Sequence, residues 1–195
     1  WHVRVFPRPN QPDPAGRAVL DDVHQLGLTH IEEVRSERVY FFSGRLNESD
    51  VRLLAEELLT DPVAERFEYR EGFSSREVAV AAVEVHPLPG VMNPVALTTL
   101  SAARQVLAKK GSAHSHVEGV QTARRYYFSG ARSSAELEQI AGKVLANDCV
   151  EKWFVQGFDR RDPIPEAFPE PPSRPFVLRR VPLNGLSDTE LAKLS

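Results

Sequence analysis

The sequence holds one cysteine and one methionine in 195 residues, which excludes a disulfide framework. No apolar run approaches the roughly 18 residues a membrane-spanning helix needs, so none is expected. An excess of one charge is missing too. Lys and Arg number 24 against 27 Asp and Glu, a net charge of -3, which argues against a nucleic-acid or anionic-membrane surface spread over the whole molecule. A local basic patch stays open. No signal peptide precedes WHVRVF, and a start on Trp1 rather than methionine fits a trimmed chain or an excised piece alike, so its ends prove little. With a lone cysteine, a reducing cytoplasm is the expected compartment.

What the sequence does hold is itself, twice. ERVYFFSGR at Glu37 to Arg45 returns as ARRYYFSGA at Ala123 to Ala131, 86 positions on. Over Val34 to Tyr69 against Val120 to Val155, 9 of 36 positions are identical: Val34, Arg38, Tyr40, Phe42, Ser43, Gly44, Ala55, Leu59 and Glu65 with their counterparts. Average residue usage would give roughly two. Upstream the offset is 80, laying VRVFPRPNQPDP at Val3 over VEVHPLPGVMNP at Val83, with six extra residues around AKKGSAHSH. An insertion in a surface loop is cheap.

Each copy predicts the same elements. Val3 and Val5, like Val83 and Val85, alternate as in a half-buried strand. Asp13-Pro14 and Asn93-Pro94 set a capping side chain before a proline suited to a first helical turn. Val19, Val23 and Leu26 form the first stripe, ending at Gly27; Leu100, Ala103 and Leu107 form the second, ending at Gly111. Two strands are expected next, Ile31 to Arg35 and Arg38 to Arg45, repeated at Val117 to Gln121 and Arg124 to Arg132. A capped helix follows at Asn47 or Ser133, with Val51, Leu54, Ala55 and Leu58 mapping onto Leu137, Ile140, Ala141 and Val144. VAERFEY and CVEKWFV close the copies as strands.

The expected fold is therefore α+β, two ferredoxin-like βαββαβ repeats packed as a pseudo-dimer: residues 1–72, then 73–159. Residues 160–195 are expected to be a proline-rich, extended linker leading to the start of a helix capped by Ser187. A helix stopping a turn after it starts suggests that the chain continues. Tyr40, Phe42, Tyr126 and Phe128 are the candidates for an inter-repeat or partner surface.

Catalytic constellations are scarce. His114 and His116 flank Ser115 without a third ligand at metal spacing, so loop histidines are the simpler reading. Cys149 has no nucleophile motif and is expected as a small buried hydrophobe in the last strand. FFSG and YFSG are not nucleophile elbows, and their serines read as turn residues. Arg124 and Arg125 are candidates for a phosphate contact, since guanidinium matches phosphate in a bidentate fork. Solvated strand-edge charges are the plainer alternative. No catalytic, metal or cofactor-binding residue is assigned.

PDPAGRAVLDDV, IEEVRSERVYFFSG and LLAEELLTDPVAERFEY together resemble PurS, the small subunit of phosphoribosylformylglycinamidine (FGAM) synthase. The matching positions are Asp13, Pro14 and Gly16; Ile31, Val34 and Arg35; and Leu59, Asp61, Pro62, Val63 and Glu65. The second copy departs with Ala96 for the glycine and Asp148 for the proline. The tail VPLNGLSDTELAKLS looks like the entry to the large synthetase subunit, PurL. The resemblance implies a fused enzyme that uses ATP and Mg with glutamine-derived ammonia to convert FGAR to FGAM in purine biosynthesis. It implies a non-catalytic role for this segment: joining PurL-like synthetase domains to a PurQ-like glutaminase and supporting ammonia transfer, with self-association a further candidate. It implies no nucleic-acid or membrane partner. A tandem ACT-type regulatory module, also βαββαβ and paired around a small effector, is the rival; such modules usually set a glycine-bearing loop between first strand and first helix, and the proline-rich RPNQPDP and LPGVMNP here favour the PurS resemblance.

Overall fold

The computed structural model describes residues 1–72, 81–111, 114–164, 167–168, 187 and 189. The N-terminal half runs β1 (His2–Pro7), α1 (Pro14–Gln25), β2 (Glu33–Arg45), α2 (Glu48–Leu54) and β3 (Glu65–Arg70). The C-terminal half runs β4 (Ala82–Pro87), α3 (Pro94–Lys109), β5 (His116–Ser129), α4 (Ser134–Ile140), β6 (Glu151–Gly157) and the two-residue β7 (Arg160–Arg161). Seven strands form one antiparallel sheet in the order β3-β1-β2-β5-β4-β6-β7.

One expectation is corrected. The two central strands predicted in each half are a single strand, β2 in one and β5 in the other, so the order before β7 is β-α-β-α-β per half and not βαββαβ. No glycine or proline interrupts Arg35 to Arg38 or Gln121 to Arg124. More decisively, β2 pairs with β5 along its whole length, from Glu33↔Ser129 to Arg45↔His116. The other half thus supplies a continuous pairing partner across the stretch where a break was expected. β7 likewise occupies the first two residues of the segment expected as linker.

Capping follows the sequence closely. Asp13 accepts from the Gly16 amide at 2.8 Å and Asn93 from Ala96 at 3.0 Å, and Gly27 and Gly111 end their helices at φ 88° and 71°. Asn47 and Ser133 accept from the amides of Asp50 and Glu136. Each of these helices then opens into a five-residue π turn, Ala55–Leu59 and Ala141–Leu145. The wider turn advances the apolar face by one residue. Leu59 and Leu145 are therefore buried where the stripe predicts Leu58 and Val144, which are only half-buried.

Helices α1 to α4 lie on one face of the sheet, and each core draws on both halves. One gathers Val3, Val5, Tyr40, Phe42, Val51 and Leu54 with Ala103, Leu107 and Val120. The other gathers Leu20, Val23, Ile31 and Val34 with Val83, Val85, Phe128, Leu137 and Ile140. Helix α1 rests on β2 of its own half and meets the π turn after α4, while α3 rests on β5 of its own half and meets α2 and its π turn. Burying such side chains contributes roughly 1.5–3 kcal/mol each, so neither core is complete without its neighbour.

The recurrent Ser-Gly has its reason here. A Cβ on Gly44 would lie 2.2 Å from the His116 carbonyl oxygen, and one on Gly130 would lie 2.4 Å from that of His30. Both glycines have positive φ, 124° and 92°, so the end of each long strand admits only glycine where the opposite half begins its own. The helix expected after Ser187 lies almost wholly outside the described residues.

Candidate functional site

The β2–β5 seam carries most of the sequence's repeated residues. From Glu33↔Ser129 to Ser43↔Gly119 residues i and j pair with a constant sum, the register shifting after Ser43, and that stretch centres on Arg38↔Arg124, themselves counterparts in the repeat. On the helix face the pairs read Val34↔Phe128, Ser36↔Tyr126, Arg38↔Arg124, Tyr40↔Thr122 and Phe42↔Val120. Reversed, the list has the same chemistry. The side chains on this face also make the same bonds. Arg38 donates to Leu59 O at 3.2 Å and Glu65 at 2.6 Å; Arg124 donates to Leu145 O at 3.2 Å and Glu151 at 2.6 Å. Each guanidinium so satisfies a carbonyl that a π turn leaves without a helical partner.

Two related hollows flank this pair. One, about 590 Å³, is lined by Asp13, Ser36, Arg38, Leu59, Thr60 and Glu65 among others. Its counterpart, about 420 Å³, is lined by Asn93, Thr122, Arg124 and Glu151, with Met92 and Val95 at its apolar rim. The caps reach the seam: the Ser36 hydroxyl donates to Asp13 at 2.7 Å, and Asn93 donates to the Thr122 hydroxyl at 2.9 Å.

The helix-free face does not repeat. Its charged part joins the halves through a buried chain of ions. Glu84, 1% exposed, accepts from His86 at 2.6 Å and from Arg125, itself 12% exposed. Glu37 accepts from the Tyr127 hydroxyl at 3.1 Å and pairs with Arg4 at 3.4 Å, while Arg4 also pairs with Glu68. Burial alone would raise the Glu84 pKa and lower that of Arg125. His86 and Arg125 together overcome it and hold Glu84 below the usual carboxylate range, while Glu84 and Tyr127 keep Arg125 firmly cationic. Burial raises Glu37, against the pull of Arg4 and Arg125. Ring contacts complete the face: His86 stacks on Phe41 at 5.8 Å and meets Phe154 edge-on at 5.4 Å.

The structure separates the residues singled out from sequence. Tyr40 and Phe42 lie in one core and Tyr126 and Phe128 in the other, each facing helices from both halves and nearly inaccessible to solvent. Arg124 and Arg125 do not share a site. Neighbours on a strand point to opposite faces, so Arg124 caps a π turn while Arg125 sits in the buried ion chain. Cys149 is corrected: it is exposed in the turn before β6, where its amide donates to Asn147 at 3.1 Å. Sequence reading missed the Glu84–His86–Arg125 group. Its one available signal was a charged residue, Glu84, alternating with the buried valines of a central strand.

These observations define a class first: an α+β protein whose two halves complete one another's cores around a single antiparallel sheet, helices on one side. Among the described residues no three His, Cys, Asp or Glu side chains converge as a metal site, and no helix is long and apolar enough to cross a membrane. Residues 1–71 match the family model PurS, described as phosphoribosylformylglycinamidine (FGAM) synthase. No curated protein matches the chain.

Proposed function

We propose that this chain is a tandem PurS-like unit of FGAM synthase in cytoplasmic purine biosynthesis, two copies of one fold paired as a pseudo-dimer. In this reading it carries no catalytic group. It holds PurL-like synthetase domains, to which it is fused through the proline-rich segment, and a PurQ-like glutaminase in one assembly, and it supports ammonia transfer between them. ATP and Mg act elsewhere in the enzyme. The match over residues 1–71 carries the reading, and the recurrence of the Arg38 contacts at Arg124 extends it to the second half.

The test is complementation. The synthetase and glutaminase, with glutamine, ATP and FGAR, are assayed for FGAM with and without this chain. Glutamine-dependent formation is expected to need the chain, and ammonia-dependent formation to need it less. If neither changes, the reading fails. The paired hollows at the α1 and α3 caps favour one alternative, an ACT-type module binding a small effector. Calorimetric titration of the chain with amino acids and nucleotides tests it, and saturable heat would move it ahead.

A further inference from the structure

The repeat is kept on one face of the seam and abandoned on the other. On the helix-free face the pairs at one end are Glu33↔Ser129, Arg35↔Tyr127 and Glu37↔Arg125; at the other they are Val39↔Ala123, Phe41↔Gln121 and Ser43↔Gly119. The repeat counterparts of Ala123 and Gly119 are Glu37 and Glu33, 86 positions earlier. One end is charged, and at the other β5 carries neither charge nor bulk at Ala123 and Gly119. That end is occupied. Ala167 and Phe168 pack on Val39, Phe41 and Ala123, and the Phe168 ring takes the space above Gly119, where a Cβ would lie 3.0 Å from its edge.

The segment arrives there under restraint. Asp162 clamps β6 through both backbone and side chain: its amide donates to Val155 O at 3.0 Å and its carboxylate accepts from the Val155 amide at 2.8 Å. Arg160 holds Asp162 at 2.8 Å and Glu138 at 2.7 Å. We infer that the apolar end of the helix-free face is a docking surface for the proline-rich segment after β7, with Phe168 as its anchor and Gly119 as the floor of its socket. The occupant is this chain's own Ala167 and Phe168, following the point where the chain leaves the sheet at Asp162. The seam is asymmetric because a single segment leaves the sheet and only one of two equivalent sites can receive it. Prolines around the anchor favour the proposal, since a stiff extended segment loses little entropy on docking. The inference does not depend on the FGAM synthase reading.

The test uses the whole chain and a glutamate-specific protease, whose cut before Ala167 needs Ala167 and Phe168 to leave the sheet and enter its cleft. Phe168→Ala removes the anchor. Gly119→Val fills the socket with a residue that strands favour. Cleavage tracks the population of the open form, so each variant is expected to be cut about tenfold faster than the wild type, with thermal unfolding of the sheet little changed. Phe158→Ala, at a side chain 52% exposed, serves as the control and should be cut at the wild-type rate. An unchanged rate in either test variant overturns the proposal. So does loss of the whole fold in both, which would make Phe168 a core residue and not the anchor of a separable segment.

Discussion

Arg38 stands directly opposite Arg124 in the β2–β5 ladder, and each turns toward the π turn of its own half. Like charges opposed across a sheet repel, yet Glu65 and Glu151 neutralise them one for one. The pairs are about half-exposed, so their Coulomb contribution is discounted, and the bond to a carbonyl carries much of the effect. Arg38→Ala and Arg124→Ala are each expected to cost about 1 kcal/mol, and to cost the same. Urea denaturation of both variants checks this. A clear inequality would show that the two contacts, alike in geometry, are not alike in energy.

Gly44→Ala and Gly130→Ala combine a positive φ with a Cβ placed against a carbonyl oxygen of the other half. Each is expected to cost about 2–4 kcal/mol. Gly27→Ala, whose Cβ would meet nothing within 4 Å, has only the φ cost of about 1 kcal/mol. Thermal melts of the three variants separate strain from collision.

Glu84 titrates below its ordinary range in the folded chain, so its contribution to stability is present at neutral pH. That contribution is lost as pH falls below about 4.3, the unfolded value, and through the lower folded one. Glu84→Gln leaves Arg125 buried beside a neutral group and is expected to cost about 3 kcal/mol or more at pH 7. The gap between variant and wild type should then narrow steadily toward pH 3. Urea midpoints across that range decide it, and a constant gap would rule out Glu84 as the titrating group.

Residues 1–72 alone contain only part of each core, yet they hold a full set of seam residues. Expressed by itself, this half is expected to be a dimer, with α1 of each copy against the other's π turn and Arg38 opposite Arg38. Sedimentation equilibrium with circular dichroism checks it. A folded monomer would contradict the shared cores.

The sequence by itself determined the repeat, the caps at Asp13, Asn93, Asn47 and Ser133, the glycine stops and the apolar character of both central strands. Those are local signals, carried within three or four residues by side chain and backbone. Tertiary structure alone decided that β2 and β5 are unbroken, because their hydrogen-bond partners lie 86 or so positions away and leave no mark on local pattern. It also decided that α1 and α3 each join a core built from both halves, and that Arg124 and Arg125, adjacent in the chain, serve opposite faces. Apart from the closing Ser-Gly, the identities repeated along the seam are those of its helix face. A sequence comparison cannot say why they persisted, since the face a residue takes depends on which strand it meets.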